Sequence, residues 1–230
     1  MKKFNIKGFI FDLDGTLIDS EPLYLQADKM LLQKYGITFT KEMKEKYIGG
    51  GNLEEMKDFK NIYSNVIYET IEELVNRKNE IYLDIISHGI PIYEKMFNML
   101  KYVKSLGLKT ALASGTSQNV LENIVSNLNL EKYFDTFLST ELVKVSKPNP
   151  LVFLESLKRL GISNYECVVF EDSYHGVVAA KRANIYCVAT PYLINRPLEK
   201  EFYEVEILFK NGMDEFDYEK VLKHFGLPIK

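Results

Sequence analysis

Two aspartates separated by a single residue, Asp12 and Asp14, are the side chains of this sequence best placed to do chemistry. They follow the apolar run 8–11, which is typical of a buried strand whose carboxyl end opens into a loop. In extended backbone, residues i and i+2 point the same way, so both carboxylates can face one small volume. Two like charges this close are costly unless a cation lies between them or one of them carries a proton. A hard dication that prefers oxygen ligands, such as Mg²⁺, is therefore expected here.

Three further motifs each follow an apolar run, and each alone has an ordinary structural explanation. They are Ser114-Gly115-Thr116, Ser146-Lys147-Pro148-Asn149-Pro150 and Glu171-Asp172-Ser173. The first resembles a helix cap, the second a surface lysine and the third the acidic start of a helix. Taken together they supply a hydroxyl group with backbone amides, an ammonium group and a second pair of carboxylates. The combination suits a metal ion beside a phosphate group, because the carboxyl ends of parallel strands line one edge of a sheet.

Short apolar runs alternate with helical patterns along most of the chain. The predicted strands are 8–11, 109–113, 136–139, 167–170, 186–189 and 206–209. Between several of them, apolar residues recur at helical spacing, as at Met96, Met99, Leu100 and Val103. This alternation predicts an α/β fold, a Rossmann-like parallel sheet with helices on both faces.

Residues 21–87 break the alternation, since they contain helical stripes and no strand pattern. We expect an all-helical cap domain at 21–87, inserted into an α/β core domain formed by 1–20 and 88–230. The glycines of 49–51 interrupt the insert and predict a mobile loop between helices. Arg77-Lys78-Asn79 is expected at the end of a helix, where Lys78 could lend positive charge to the site.

Composition excludes several classes of partner. The chain has 230 residues, 46% hydrophobic and 27% charged, with a net charge of −3, so neither a nucleic acid nor a membrane surface is expected. The sequence shows no long apolar segment of the kind found in signal peptides, and we expect a cytoplasmic protein that is monomeric rather than an obligate oligomer. Cys167 and Cys187 lie in or beside predicted strands and are expected to be packing residues, not a disulfide.

The four motifs, in this order, resemble those of the haloacid dehalogenase superfamily of phosphatases. The resemblance is to the branch with a helical cap that includes β-phosphoglucomutase and phosphoglycolate phosphatase, and it spans nearly the whole chain. The residues that carry it are Asp12-Leu13-Asp14-Gly15-Thr16, Ser114, Lys147-Pro148, Glu171-Asp172-Ser173 and Gly176.

The resemblance implies a role for each motif. Asp12 would be the nucleophile that accepts the phosphoryl group, and Asp14 the acid that protonates the leaving oxygen and then activates water. Ser114 and Lys147 would hold the phosphoryl oxygens. The implied substrate contacts also include Leu13, Gly115, Thr116, Asn52 and Lys78, and the implied Mg²⁺ ligands are Asp12, Asp14, Glu171 and Asp172. The carboxylates around Asp14 are expected to keep it protonated near neutral pH.

Two departures from the mutase pattern bear on the activity. Tyr24 stands where the mutase-type sequence carries a histidine, and Asn52 stands where it carries an arginine that grips a second phosphate. We therefore expect a Mg²⁺-dependent phosphatase that hydrolyses a sugar phosphate or a phospho-acid through an aspartyl phosphate. A β-phosphoglucomutase-type phosphotransferase is the alternative enzyme, and a non-catalytic sensor that holds an aspartyl phosphate is the alternative of another class.

Overall fold

The core of the protein is a six-stranded parallel sheet with the strand order β3-β2-β1-β4-β5-β6. The computed structural model describes residues 4–194 and 197–229. The strands are β1 Gly8–Phe11, β2 Lys109–Ser114, β3 Thr136–Ser139, β4 Cys167–Glu171, β5 Tyr186–Ala189 and β6 Ile207–Leu208. The predicted α/β architecture is confirmed.

The side chains of β1 show why this short segment lies at the centre of the sheet. All four of its residues are buried, and they alternate between two hydrophobic clusters: Phe9 and Phe11 belong to one, and Ile10 to the other. A strand covered on both faces must be apolar throughout, which is the pattern that the sequence carries. β1 pairs with β2 on one side and with β4 on the other, so the polar residues that follow these three strands emerge side by side.

The helices that cover the sheet lie before, between and after the strands β2–β6. They are α5 Glu94–Ser105, α6 Gln118–Asn127, α7 Thr140–Val143, α8 Leu151–Leu160, α9 Tyr174–Arg182 and α10 Tyr218–Phe225. In the described part of the chain, no helix is both long enough and apolar enough to cross a membrane. Cys167 and Cys187 are free thiols in buried positions, as predicted.

The inserted cap lies between β1 and β2 and consists of α1 Glu21–Gln33, α2 Lys41–Glu45, α3 Asn52–Ile62 and α4 Ile71–Ile86. It has a hydrophobic cluster of its own, in which Leu31, Phe39, Phe59 and Leu74 are buried. The boundaries 1–20, 21–87 and 88–230 stay a prediction. One expectation is wrong: Arg77-Lys78-Asn79 does not end a helix, because α4 continues through it to Ile86.

The cap rests directly on the core at the carboxyl end of the sheet. Gly49 approaches so closely that a Cβ atom there would lie 2.2 Å from Cβ of Ser173, and its φ of +75° also favours glycine. Tyr24 and Thr116 form a short hydroxyl–hydroxyl hydrogen bond, and Asn79 Nδ2 donates to Ser117 Oγ at 3.0 Å. The cap is therefore closed over the edge of the sheet where the four motifs end.

Candidate active site

The site is built by the ends of three adjacent strands. Asp12 follows β1, Ser114 is the last residue of β2, and Glu171 is the last residue of β4 with Asp172 directly after it. Lys147 enters from the segment between α7 and α8 and completes the group. The structure thus brings together side chains that lie up to 160 positions apart in the sequence, at the edge where parallel α/β sheets bind their ligands.

Lys147 forms the electrostatic centre of this group. Its Nζ lies 2.5 Å from Asp12 Oδ1, 2.5 Å from Glu171 Oε1 and 3.2 Å from the carbonyl oxygen of Ala113. The residue is 7% exposed. Burial lowers the pKa of its ammonium group, but the carboxylates of Asp12 and Glu171 outweigh that effect and raise the pKa above its usual range. Lys147 therefore carries its charge at any physiological pH.

Three carboxylates beside this lysine can share a cation. One oxygen each of Asp12, Glu171 and Asp172 lies within 4.8 Å of the others, and all three residues are buried. Burial raises the pKa values of Asp12 and Asp172, the charge of Glu171 raises both further, and the charge of Lys147 opposes these increases. Crowded, desolvated carboxylates of this kind fit a hard dication such as Mg²⁺.

Glu171 has a more constrained position than its partners. Its Oε1 accepts from Lys147, and its Oε2 accepts from the amides of Asp172 and Ser173, each at 3.2 Å. The helix α9 packs tightly on this carboxylate, since a Cβ atom at Gly176 would lie 1.8 Å from Glu171 Cδ. A glycine is therefore required at position 176. Both carboxylate oxygens of Glu171 already accept hydrogen bonds, from Lys147 or from the amides of Asp172 and Ser173, so a metal would have to share these oxygens.

Asp14 lies in the same cavity with a different environment. Its Oδ2 accepts from Ser114 Oγ at 3.1 Å, while its Oδ1 is buried without a partner in the described part of the chain. Burial raises the pKa of Asp14, while the nearby hydroxyl groups of Ser20 and Ser114 and the charges of Lys147 and Lys44 lower it. The direction agrees with the sequence-based expectation, but its cause is desolvation and not the neighbouring carboxylates.

The expected phosphate-binding residues are positioned by backbone geometry. Gly115 and Thr116 line the cavity, and the Thr116 amide donates to Ser114 Oγ at 3.1 Å. Ser114 and the side chain of Leu13 are fully buried, so Leu13 can face the site only through its backbone. Thr16, in the same loop as Asp14, donates from Oγ1 to Asp172 Oδ1 at 3.2 Å and ties the first motif to the last.

Cap residues complete the cavity, and they differ in part from those expected. Asn52 lines it, with its Nδ2 3.3 Å from Asn79 Oδ1. Lys78 lies behind the cavity wall instead of facing it: the side chain is fully buried, and Nζ is 2.5 Å from Glu55 Oε2. We therefore correct the expected role of Lys78, which supports Glu55 and leaves that carboxylate to line the cavity.

Glu21, Lys44 and Glu55 are cavity residues that the sequence does not single out. They come from three different cap helices, α1, α2 and α3, and no spacing rule connects them. In the sequence, Glu21 is marked only by its position as the first residue of a helix. Acidic residues are common at that position because they stabilise the helix dipole, so the position does not indicate a ligand-binding role. With the cap closed, the space in which the centre of a water molecule can lie measures about 50 Å³ in this cavity.

Comparison with known proteins agrees with this architecture. A curated relative from Thermotoga maritima, named phosphorylated carbohydrates phosphatase, is 34% identical over 180 residues, or 78% of this chain and 82% of the relative. Hexitol phosphatase B of Escherichia coli is 28% identical over 186 residues, covering 81% and 84%.

Solved structures share the fold at lower identity. β-Phosphoglucomutase from Clostridium difficile superposes with a TM-score of 0.79 at 24% identity, covering 96% of this chain and 97% of that one. CbbY from Rhodobacter sphaeroides in complex with phosphate gives a TM-score of 0.82 at 23% identity, covering 90% and 95%. The profile of the family described as haloacid dehalogenase-like hydrolase matches residues 9–190. The chain belongs to the haloacid dehalogenase-like hydrolase family.

Proposed function

We propose that this protein is a Mg²⁺-dependent phosphatase that hydrolyses small phosphorylated sugars or related metabolites through an aspartyl phosphate. The observation that carries the proposal is that Asp12, Asp14, Lys147 and Asp172 line one shared cavity beneath the cap. Family membership and relatives named as phosphatases of phosphorylated carbohydrates and hexitols support it.

Asp12 is the proposed nucleophile. Its carboxylate oxygen attacks phosphorus, the bond between phosphorus and the ester oxygen breaks, and the electron pair leaves with that oxygen. The Lys147 ammonium, 2.5 Å from Asp12 Oδ1, is placed to offset the negative charge of the transferring group. Catalysis of phosphoryl transfer consists mainly of such positioning and charge stabilisation. A buried lysine provides both without reorganisation of solvent.

Asp14 is the proposed general acid and base. Its raised pKa favours the protonated form that the departing alkoxide needs, and its place in the same cavity as Asp12 keeps it near the reacting atoms. After the proton has moved to the leaving oxygen, the Asp14 carboxylate can take a proton from the water that attacks the aspartyl phosphate. The bond between phosphorus and the Asp12 oxygen then breaks, which releases phosphate and restores the Asp12 carboxylate. Ser114, which donates to Asp14 Oδ2, orients the carboxyl group for both steps.

Asp12 and Asp172 are the proposed metal ligands, with Glu171 and the backbone of Asp14 completing the set. When bound there, Mg²⁺ would supply positive charge that reduces the repulsion of the attacking carboxylate by the phosphate dianion. The residues present fit this role because one oxygen of each of the three buried acidic side chains lies within 4.8 Å of the others, and Lys147 pairs with two of them, Asp12 and Glu171.

A β-phosphoglucomutase-type phosphotransferase is the competing activity. Such an enzyme must bind a second phosphate, and Asn52 offers that group no charge and is already bonded to Asn79. Asn52 therefore favours hydrolysis over intramolecular transfer.

The test compares phosphate release from glucose 1-phosphate with its conversion to glucose 6-phosphate, in the presence of Mg²⁺ and a bisphosphate primer. We expect release of phosphate from glucose 1-phosphate or from another member of a panel of sugar phosphates, and loss of that release in EDTA. Efficient isomerisation without release would instead establish the mutase. A trapped phosphoryl group lost over hours, with no multiple turnover, would establish the sensor.

A further inference from the structure

The cap wall of the cavity contains two lysines whose charges are already paired. Lys44 Nζ lies 2.8 Å from Asp28 Oδ2 and 3.0 Å from Glu55 Oε1. Lys78 Nζ lies 2.7 Å from Asp28 Oδ1 and 2.5 Å from Glu55 Oε2. All four residues are buried, and their two positive and two negative charges balance. This cluster, Asp28, Lys44, Glu55 and Lys78, therefore offers no surplus positive charge to a ligand.

Glu21 adds a carboxyl group to the same wall. It is 8% exposed and lines the cavity that contains Asp12 and Asp14. Its Oε2 is buried and has no hydrogen-bond partner in the described residues. A buried acceptor without a partner is unfavourable, so a cavity that retains one is suited to a ligand that donates a hydrogen bond. Burial also raises the pKa of Glu21 to about 7.

We propose that Glu21, together with Lys44 and Glu55, binds the hydroxyl groups of the substrate's alcohol portion, so that the enzyme selects phosphate monoesters of neutral polyols. This inference rests on the proposed phosphatase activity and narrows its substrates. Hydroxyl groups both donate and accept, and the wall provides carboxylate acceptors in Glu21 and Glu55 beside the ammonium donor of Lys44.

Other alcohol portions fit this wall less well. A carboxylate or a second phosphate would face Glu21 and Glu55, while the nearby lysines, Lys44 and Lys78, are already paired with Asp28 and Glu55. A primary ammonium would satisfy Glu21 but would meet the neighbouring charge of Lys44, which already acts on Glu21. An apolar chain would leave Glu21 Oε2 unpaired and desolvated.

The experiment uses four small phosphate esters with Mg²⁺ and measures phosphate release. Glycerol 1-phosphate carries two hydroxyl groups, 3-phosphoglycerate replaces one hydroxymethyl group by a carboxylate, propyl phosphate has neither, and phosphoethanolamine has an ammonium. We expect kcat/KM for glycerol 1-phosphate to exceed each of the others by about tenfold or more, the ratio that one hydrogen bond to a charged group supports. A preference for any of the other three esters overturns the inference.

Substitutions test the assignment to Glu21. In Glu21→Ala, the ratio of kcat/KM for glycerol 1-phosphate to that for propyl phosphate should fall by about tenfold, and in Glu21→Gln by less. Glu80→Ala is the matched control, because Glu80 is an exposed glutamate of the same cap, and it should leave the ratio as in the wild type. An unchanged ratio in a folded Glu21 variant, checked by circular dichroism, refutes the role of Glu21.

The two proposals fail in different ways. If the wild-type protein with Mg²⁺ releases phosphate from none of these esters and from no sugar phosphate, the phosphatase itself is refuted. If it releases phosphate but shows no preference for glycerol 1-phosphate, only the hydroxyl-binding wall is refuted. The wild-type ratios decide this second question even if both Glu21 variants fail to fold.

Discussion

Lys147→Ala removes a buried ammonium that lies 2.5 Å from each of two carboxylates, Asp12 and Glu171. Breaking a buried pair by removing one partner costs about 3–5 kcal/mol, because the remaining charge is left desolvated and unpaired. For a chain of this size, 1 kcal/mol corresponds to about 2–4 °C in Tm, so the metal-free variant should melt roughly 6–20 °C below the wild type. Differential scanning calorimetry in EDTA measures this difference.

Mg²⁺ should act on the variant more strongly than on the wild type. With the lysine gone, the carboxylates of Asp12, Glu171 and Asp172 hold more uncompensated negative charge, so a dication should bind them more tightly. A ligand that binds only the folded state at 100 times its Kd stabilises that state by about 2.7 kcal/mol. The Tm gained on adding Mg²⁺ should therefore be larger for Lys147→Ala.

The same variant should lose catalysis even where Mg²⁺ restores its stability. Loss of one charged donor at the transferring phosphoryl group is expected to raise the activation free energy by about 2–4 kcal/mol, or roughly 30- to 900-fold in kcat. Lys158→Ala is the control, since that lysine side chain is 79% exposed and its surface pair contributes little. A metal-free Tm within 2 °C of the wild type would refute the reasoning, since about 2 °C is the smallest shift that 1 kcal/mol produces.

Further substitutions test the remaining parts of the site. Asp12→Asn should abolish phosphate release while the chain stays folded, because Lys147 keeps its bond to Glu171; near-wild-type turnover would contradict covalent catalysis. Asp14→Asn should slow both formation and hydrolysis of the phosphoenzyme by about 10²–10⁴-fold. Rapid-quench kinetics measures the two rates, and an effect on only one of them would argue against a shared acid and base. Asn79 Nδ2 donates to Ser117 Oγ at 3.0 Å across the boundary between cap and core. A double-mutant cycle of Asn79→Ala and Ser117→Ala in urea unfolding should therefore give a coupling free energy of about 0.5–1.5 kcal/mol, and strict additivity would rule out a direct contact.

The sheet could be predicted from sequence because its strands are covered on both faces. The predicted runs 8–11, 136–139 and 186–189 match β1, β3 and β5, while β2 and β4 each extend one residue further, to Ser114 and Glu171. Those two added residues are polar, so an apolar pattern stops before them. They nevertheless continue the ladder, since Ser114 pairs with β3 and Glu171 with β5.

The helix α4 shows why the cap was harder to predict. Leu74, Lys78, Tyr82 and Ile86 recur every four residues and are all buried, so Lys78 occupies a core position on an otherwise apolar stripe. When only the sequence is available, a charged residue in such a stripe indicates that this part of the helix face is exposed to solvent. Its burial depends on Asp28 and Glu55, which lie 50 and 23 positions away on other helices, and no local pattern reveals that pairing.

The two ends of the cavity differ in how their charges are balanced, and this difference indicates which chemical groups each end can bind. At the core end, Lys147 is the ammonium that contacts Asp12 and Glu171, and Asp14 and Asp172 lie beside them, so carboxyl groups outnumber the compensating charge. That end suits added cations and, once they are present, a phosphoryl group. At the cap end, the cluster of Asp28, Lys44, Glu55 and Lys78 is balanced internally and is suited to neutral donors and acceptors. A substrate with one phosphate and an uncharged polar remainder matches both ends, and because the cap is closed over them, a mismatch at either end would remain desolvated.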